Sequence, residues 1–217
     1  MLRLLDGKID YMLENLKNYN IILASNSPRR KELLEGLGVN YSVKTLSGVD
    51  ESYPETLNGE EIPLFIAKKK ADAYINNISD NDLIITADTI VWLDGKVLGK
   101  PENAAHAKEM LAALSGKTHQ VMTGVCITSK DKRKEFVSVT DVTFDTLSAE
   151  EIEYYVENFR PFDKAGAYGI QEWIGYIGVK SISGSYFNVV GLPIQRLYRE
   201  LVKFKKREKT KQFLVCF

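Results

Sequence analysis

The sequence predicts an α/β fold built on a mixed β-sheet. Short apolar runs with strand character interleave with helix-like segments along the whole chain. Residues 119–148 also read as one long β-hairpin, which places an antiparallel pair in a sheet that alternation alone would make parallel. A length of 217 residues suits one domain, or one domain with a sizeable subdomain, and there is no internal repeat or low-complexity linker to divide it.

The elements follow in order. Residues 1–19 carry acids inside an apolar pattern and no small-residue cleavage site, so they read as an amphipathic helical extension and not as a secretory signal. "NIILAS" (20–25) is a short buried strand. Ser27 then suits an N-cap and Pro28 the first helical position. Leu33, Leu34 and Leu37 form the apolar stripe of that helix, and Gly38 its stop. Residues 41–46 alternate like a second strand, 47–61 form a polar loop, and a helix follows over 62–77. Its candidate buried positions are Phe65, Ile66, Ala73 and Tyr74. "DLIITAD" (82–88) is an apolar strand ending on Asp88, and 89–99 is a hairpin around a primed Asp94-Gly95 turn. A helix over 103–116 ends at Gly116. The second arm of the long hairpin alternates at Phe136, Val139, Val142 and Phe144. Ser148 and Glu151 make a capping-box pattern. Glycine and aromatic residues dominate 160–192, a last helix runs over 193–206, and 203–217 form a basic tail.

Composition excludes several classes. The formal net charge is +0, so no global field gathers nucleic acid, and no stable nucleic-acid partner is expected. No apolar run approaches the roughly 20 residues of a membrane span. Cys126 and Cys216 lie far apart without metal-like spacing, which suits a reduced, cytoplasmic protein. His106 and His119 lack the further ligands of a zinc site, and no G-x-S-x-G elbow is present.

Any anion site must therefore be local, and "SPRR" (27–30) is the first candidate. A helix N-terminus repels cations but offers free N–H groups to an anion. Arg29 and Arg30 in that first turn suit phosphate; the alternative is a solvated pair facing Glu32. It is not a Walker loop, since no Gly-rich GK[ST] run exists. A second candidate is the acid set Asp50, Glu51 and Asp88, since carboxylates plus substrate phosphates commonly hold Mg²⁺. Lys70, Lys100, Lys117 and Lys164 lie beside turn signals; singly they read as surface charges, together they would suit a polyphosphate. In "PFDKAGAYGIQ" (161–171), Gly166 and Gly169 permit close backbone approach, Gln171 could read a base edge, and Tyr168 could stack on a base or fill the core. "GSYFNVVGLP" (184–193) reads as structural.

Eight segments together resemble the Maf-like nucleoside triphosphate pyrophosphatases, in that family's order and spacing. They are "LASNSPRRKELL" (23–34), "DE" (50–51), "AKKKA" (67–71), "ADT" (87–89), "GKP" (99–101), "LSGKTHQVMTGV" (114–125), "DKAGAYGIQ" (163–171) and "GSYFNVVGLPI" (184–194). The resemblance spans about residues 20–202. It implies the inosine-triphosphatase-like (Maf/Ham1) fold, an elongated mixed sheet flanked by helices, with two lobes around one central cleft. The implied reaction is hydrolysis of a nucleoside triphosphate to the monophosphate and pyrophosphate, with Mg²⁺ or Mn²⁺. Asp88 matches the proton acceptor and Glu51 an acid near the metal. Asp88 is carried both as base and as metal ligand. Arg29 and Arg30 match a phosphate-binding pair, with Ser25, Lys70, Lys100, Lys117 and Lys164 as further substrate contacts. Arg29, Thr89 and Gln171 match the branch resembling dTTP/UTP pyrophosphatases, which gives Arg29 a selectivity-linked role and leaves Arg30 to phosphate alone. On this view the arginines burden the empty helix and are compensated only by bound substrate. Glu172 and Trp173, where that branch more often has small residues, become candidates for lining the base pocket. A homodimer is expected from the resemblance. The competing readings are a nucleotide- or nucleic-acid-binding regulator of septum formation and a pyrophosphatase for ITP, XTP or 7-methyl-GTP.

Overall fold

A computed structural model of the chain describes residues 13–204. Its strands are β1 (Asn20–Leu23), β2 (Tyr41–Val43), β3 (Asp82–Leu93), β4 (Lys96–Leu98), β5 (Thr118–Thr128), β6 (Arg133–Phe144) and β7 (Val179–Ser183). Its α-helices are α1 (Pro28–Glu35), α2 (Glu61–Asp72), α3 (Ala104–Leu114), α4 (Ala149–Phe159), α5 (Trp173–Gly178), α6 (Tyr186–Val190) and α7 (Ile194–Val202). The strands form one seven-stranded sheet in the order β2-β1-β3-β5-β6-β7, with β4 also on β3. β1 is parallel to β2 and β3, and every other pairing is antiparallel. The sheet is mixed and helix-flanked, as the sequence predicts.

Local signals act where they were read. Ser27 caps α1, its Oγ accepting from Arg30 N at 3.5 Å, with Pro28 in the first turn. Ser148 and Glu151 form a complete capping box on α4. Asp94 and Gly95 both have positive φ, 50° and 79°, as a primed turn requires. The turn of residues 14–16 just before β1 is a 3-10 helix. Leu13, Leu16 and Tyr19 around it are buried with Phe204, and the Asn15 amide donates to the carbonyls of Leu201 and Phe204 at the end of α7. The rest of the N-terminal extension, most of the basic tail and Cys216 lie outside the described residues.

Other boundaries move for tertiary reasons. The strand predicted over 41–46 stops at Val43, and the amide of Leu46 donates to the Tyr74 hydroxyl. The helix predicted over 62–77 closes at Asp72 and resumes as a 3-10 turn at Ile75–Asn77; Ile62, Ala67 and Ala71 are buried in it, and Ala73 is exposed. In β6, Phe136, Val142 and Phe144 face one side of the sheet, while Val139 joins Val137 on the other, against α2. The strand predicted to end at Asp88 runs on to Leu93, because β5 pairs with it from Ile84 to Trp92.

That last difference positions the site. One edge of β3 is covered by β5. On its other edge β1 covers Asp82–Ile85 and β4 covers Val91–Leu93. Between them, around Asp88, no strand of the described residues pairs with that edge.

Candidate active site

A cleft of about 700 Å³ opens at this gap. That is ample for a nucleotide. Its walls are the β1–α1 turn, the loop after β2, α2, the middle of β3, the β4 end, the loop 163–171 and the last turn of α6. Ser25, Arg29, Arg30, Glu51, Lys70, Asp88, Thr89, Lys100, Lys164 and Gln171 all line it. Lys117 does not: its ammonium sits 3.0 Å from Asp94 at the β3–β4 turn, outside the cleft. Asp50 is also outside the lining and holds Lys69 at 2.7 Å. The Lys69 ammonium, with the Ser52 hydroxyl and amide, holds the Asp50 carboxyl well below the usual carboxylate range.

Two faces of one strand contribute. Side chains alternate along β3, so Asp88 faces α2 and Thr89 faces α1 and α6. Both reach the cleft because the edge between them is uncovered. Asp88 is 9% exposed, and its Oδ1 accepts from the Lys70 ammonium at 2.8 Å. The same ammonium stands 3.1 Å from Glu51 Oε1. Asp88 Oδ2 has no protein partner among the described residues.

α2 delivers Lys70 because it packs unusually close to the sheet. Gly124 on β5 lies opposite Asp88, on the α2 side. A Cβ built there would overlap the backbone of Pro63 and Leu64. The Thr86 hydroxyl adds a bond to the Ala67 carbonyl at 2.7 Å.

The two arginines differ in kind. Arg29 Nη1 lies 2.7 Å from Asp163 Oδ2, across the cleft. Arg30 is committed to the protein: Nε donates to the Gly191 carbonyl at 2.9 Å, Nη1 to the Ala87 carbonyl at 2.8 Å and Nη2 to Thr89 Oγ1 at 3.1 Å. It therefore satisfies a carbonyl on the uncovered edge of β3 and ties α1 to β3 and to the end of α6. The view that Arg30 serves phosphate alone and burdens the empty fold does not survive these bonds, since its removal would leave enclosed carbonyls without donors. Burial lowers its guanidinium pKa from the ordinary value, against the Asp88 charge that supports it.

Lys164 is 8% exposed, between Asp163 at 2.8 Å and Glu172 at 3.0 Å. Glu172 also accepts from the buried Tyr155 hydroxyl, so it turns inward, and Trp173 packs edge-on to Tyr154; neither lines the cleft. Lys100 is exposed at the rim and makes no ion pair among the described residues. Tyr168 borders the cleft but belongs to the core, its hydroxyl 2.7 Å from His119 Nε2. Gln171 lines the cleft, and its Oε1 is enclosed with no hydrogen-bond partner among the described residues.

Three contributors escape a local reading. Gly191, with Val189 and Val190, lines the cleft from a segment read as structural. Thr123 holds Thr89 at 2.9 Å. Asp163 lies in the same segment as Lys164 and Gln171, but its pairing with Arg29, 134 residues away, carries no local signal.

A family model described as Maf-like protein matches residues 20–204. The chain belongs to the Maf-like family. A dTTP/UTP pyrophosphatase of Phocaeicola vulgatus is 66% identical over 192 residues, covering 88% of this chain and 100% of that protein. One of Parabacteroides distasonis is 56% identical over 193 residues, covering 89% and 100%. Among solved structures, a Ham1 protein of Staphylococcus aureus matches 84% of this chain and 97% of its own at TM-score 0.46 and 19% identity. A HAM1 protein of Coxiella burnetii matches 86% and 100% at TM-score 0.47 and 13% identity. Such distant likenesses say nothing of the site.

In this Maf-like chain Glu51 and Asp88 converge on one cation position, held by Lys70. No group of three or more His, Cys, Asp or Glu side chains suited to a metal occurs among the described residues. Two carboxylates fit Mg²⁺ in the mode where substrate phosphates complete the shell. No helix among the described residues is long and apolar enough to cross a membrane.

Proposed function

We infer that this chain hydrolyses dTTP and UTP to the monophosphate and inorganic pyrophosphate. The observation that carries the reading is one cleft in which Asp88 and Glu51 face a set of cations, in a chain 66% identical to proteins named dTTP/UTP pyrophosphatase. A binding module would not need two carboxylates beside the substrate's phosphates.

Water adds at the α-phosphorus, and the α–β phosphoanhydride bond breaks to release pyrophosphate. Asp88 accepts the proton of that water, at the oxygen that Lys70 leaves free. Arg29, Lys100 and Lys164 receive the phosphate charge, while Arg30 fixes Thr89 and the strand beneath it. Ser25 and Lys70 complete the polar wall. Thr89 and Gln171, which both line the cleft, are assigned the base. Glu51 and Asp88 are the residues that would hold Mg²⁺ or Mn²⁺ with the substrate's phosphates. The metal, when bound, supplies neutralisation of phosphoryl charge. The setting is the cytoplasmic nucleotide pool, where the activity would remove surplus or modified pyrimidine triphosphates.

Pyrophosphate release from dTTP, UTP, CTP and a purine panel, with Mg²⁺ or Mn²⁺, tests this. Turnover is expected on dTTP and UTP. Asp88→Asn is expected to lose about 10²–10⁴-fold in rate while still binding nucleotide. A wild-type chain inert on every triphosphate, or active on purines alone, would overturn the reading.

A further inference from the structure

Among the described residues, Asp163 is the one acidic side chain lining the cleft that the proposed reaction does not use. It is not a bystander. Its Oδ2 takes Arg29 Nη1 at 2.7 Å and its Oδ1 takes the Lys164 ammonium at 2.8 Å. One carboxylate thus spreads its two oxygens over two cations, as a bound phosphate would. The cations come from opposite walls, α1 and the loop 163–171, so the bridge spans the cleft. Asp163 is the only acid paired with Arg29 among the described residues, and its side chain remains 56% exposed, free to swing toward solvent. Burial pushes the Asp163 carboxyl up, but hydrogen bonds from Lys164 and Arg29 outweigh this and hold it at about 2, ionised at neutral pH.

We propose that Asp163 is a built-in substitute for the substrate's phosphate: it holds Arg29 and Lys164 in the empty cleft, yields them to an incoming polyphosphate, and reclaims them as pyrophosphate leaves. The proposal rests on reading the cleft as a triphosphate site. Asp163 is a positioning residue, since it acts through the two cations and not on the reacting atoms. A polyphosphate carries more charge than one carboxylate and so displaces it from both cations. The tethered carboxylate is always at high local concentration, so it competes most effectively with a small, departing anion. It therefore weakens retention of product.

The test is calorimetric titration of the full chain with inorganic pyrophosphate at fixed Mg²⁺, for wild type, Asp163→Asn, Asp163→Ser and Asp163→Glu. The two uncharged variants are expected to bind pyrophosphate about tenfold more tightly, equivalent to about 1.4 kcal/mol. Their KM for dTTP is expected to fall, and kcat to fall with it as release slows. Asp163→Glu keeps the charge and is expected within about twofold of wild type. Unchanged or weaker binding in Asp163→Asn and Asp163→Ser would overturn the proposal. So would equal tightening in Asp163→Glu, because loosening and not loss of charge would then be the cause. Two uncharged variants are used so that misfolding of one leaves the other to decide. The titration needs no turnover. A chain inert on dTTP whose uncharged variants still tighten on pyrophosphate would keep this proposal and overturn the assigned activity; an active enzyme without tightening would do the reverse.

Discussion

His119, the second residue of β5, is 1% exposed, its ring edge-on to Phe144 and Tyr168. Its Nε2 shares a hydrogen bond with the Tyr168 hydroxyl, and its Nδ1 has no partner among the described residues. Protonation would put a charge and an unpaired N–H into this apolar site, so burial lowers the pKa to about 4. The unfolded chain keeps the ordinary value near 6.5. Below that value the unfolded state takes up a proton that the folded state refuses. Stability therefore falls as pH drops from about 6.5 towards 4, by about 2 kcal/mol between pH 7.5 and 5. Chemical denaturation at several pH values checks this, and His119→Gln is expected to flatten the slope over that window. A wild-type slope equal to that of the variant would show that His119 is not the group titrating. The same scale shows what sequence can tell. Asp88, Arg29 and Gln171 were legible because each sits in a short pattern of its own. The Arg30 bonds to Ala87, Thr89 and Gly191 were not, since each partner is at least 57 residues away and two are backbone carbonyls, which carry no signature of side-chain type.

Helices and strands were legible wherever their determinants are local: the Ser27 and Ser148 caps, the Asp94-Gly95 turn, the paired arms of β5 and β6. Boundaries set by a neighbouring element were not. β3 passes through Asp88 and Thr89 because β5 pairs with it from one side, and what ends near Asp88 is the cover on its other edge. No local pattern reports a missing neighbour. The approach of α2 is of the same kind, since it depends on Gly124 opposite Pro63. Gly124→Ala would force the helix backbone away from β5, and a backbone contact cannot relax as a flexible side chain would. The expected loss is about 3 kcal/mol or more, read as a lower denaturant midpoint. dTTP turnover of the folded fraction is expected to fall as well, because the displaced helix carries Lys70 away from Asp88 and Glu51. Unchanged midpoint and turnover would show that the helix does not depend on this contact.

At the scale of the molecule, one face of the sheet carries two apolar clusters. One gathers β1, α1, α7 and the first half of β3 around Leu23, Leu34 and Leu201; the other gathers α3, α4 and the ends of β5 and β6 around Leu111, Phe144 and Tyr155. Between them runs a polar seam, in which the Asn188 amide donates to the Val121 carbonyl and to Thr140, and Thr123 donates to the Asn188 carbonyl. The seam lies where the edge of β3 is uncovered, so the cleft opens at the boundary of the two clusters and takes cations from both sides. A nucleotide bound there must tie the halves together. Asp88→Asn, expected to bind without turnover, isolates that effect. Saturation at 100 times Kd would stabilise it by about 2.7 kcal/mol, or roughly 5–10 °C in Tm for a chain of this size. Amide hydrogen exchange is expected to slow on both walls together, at residues 25–30 and at 163–171. The Arg29–Asp163 bridge already spans these walls in the empty protein, so protection of only one of them would mean that the ligand occupies one side and leaves the bridge intact.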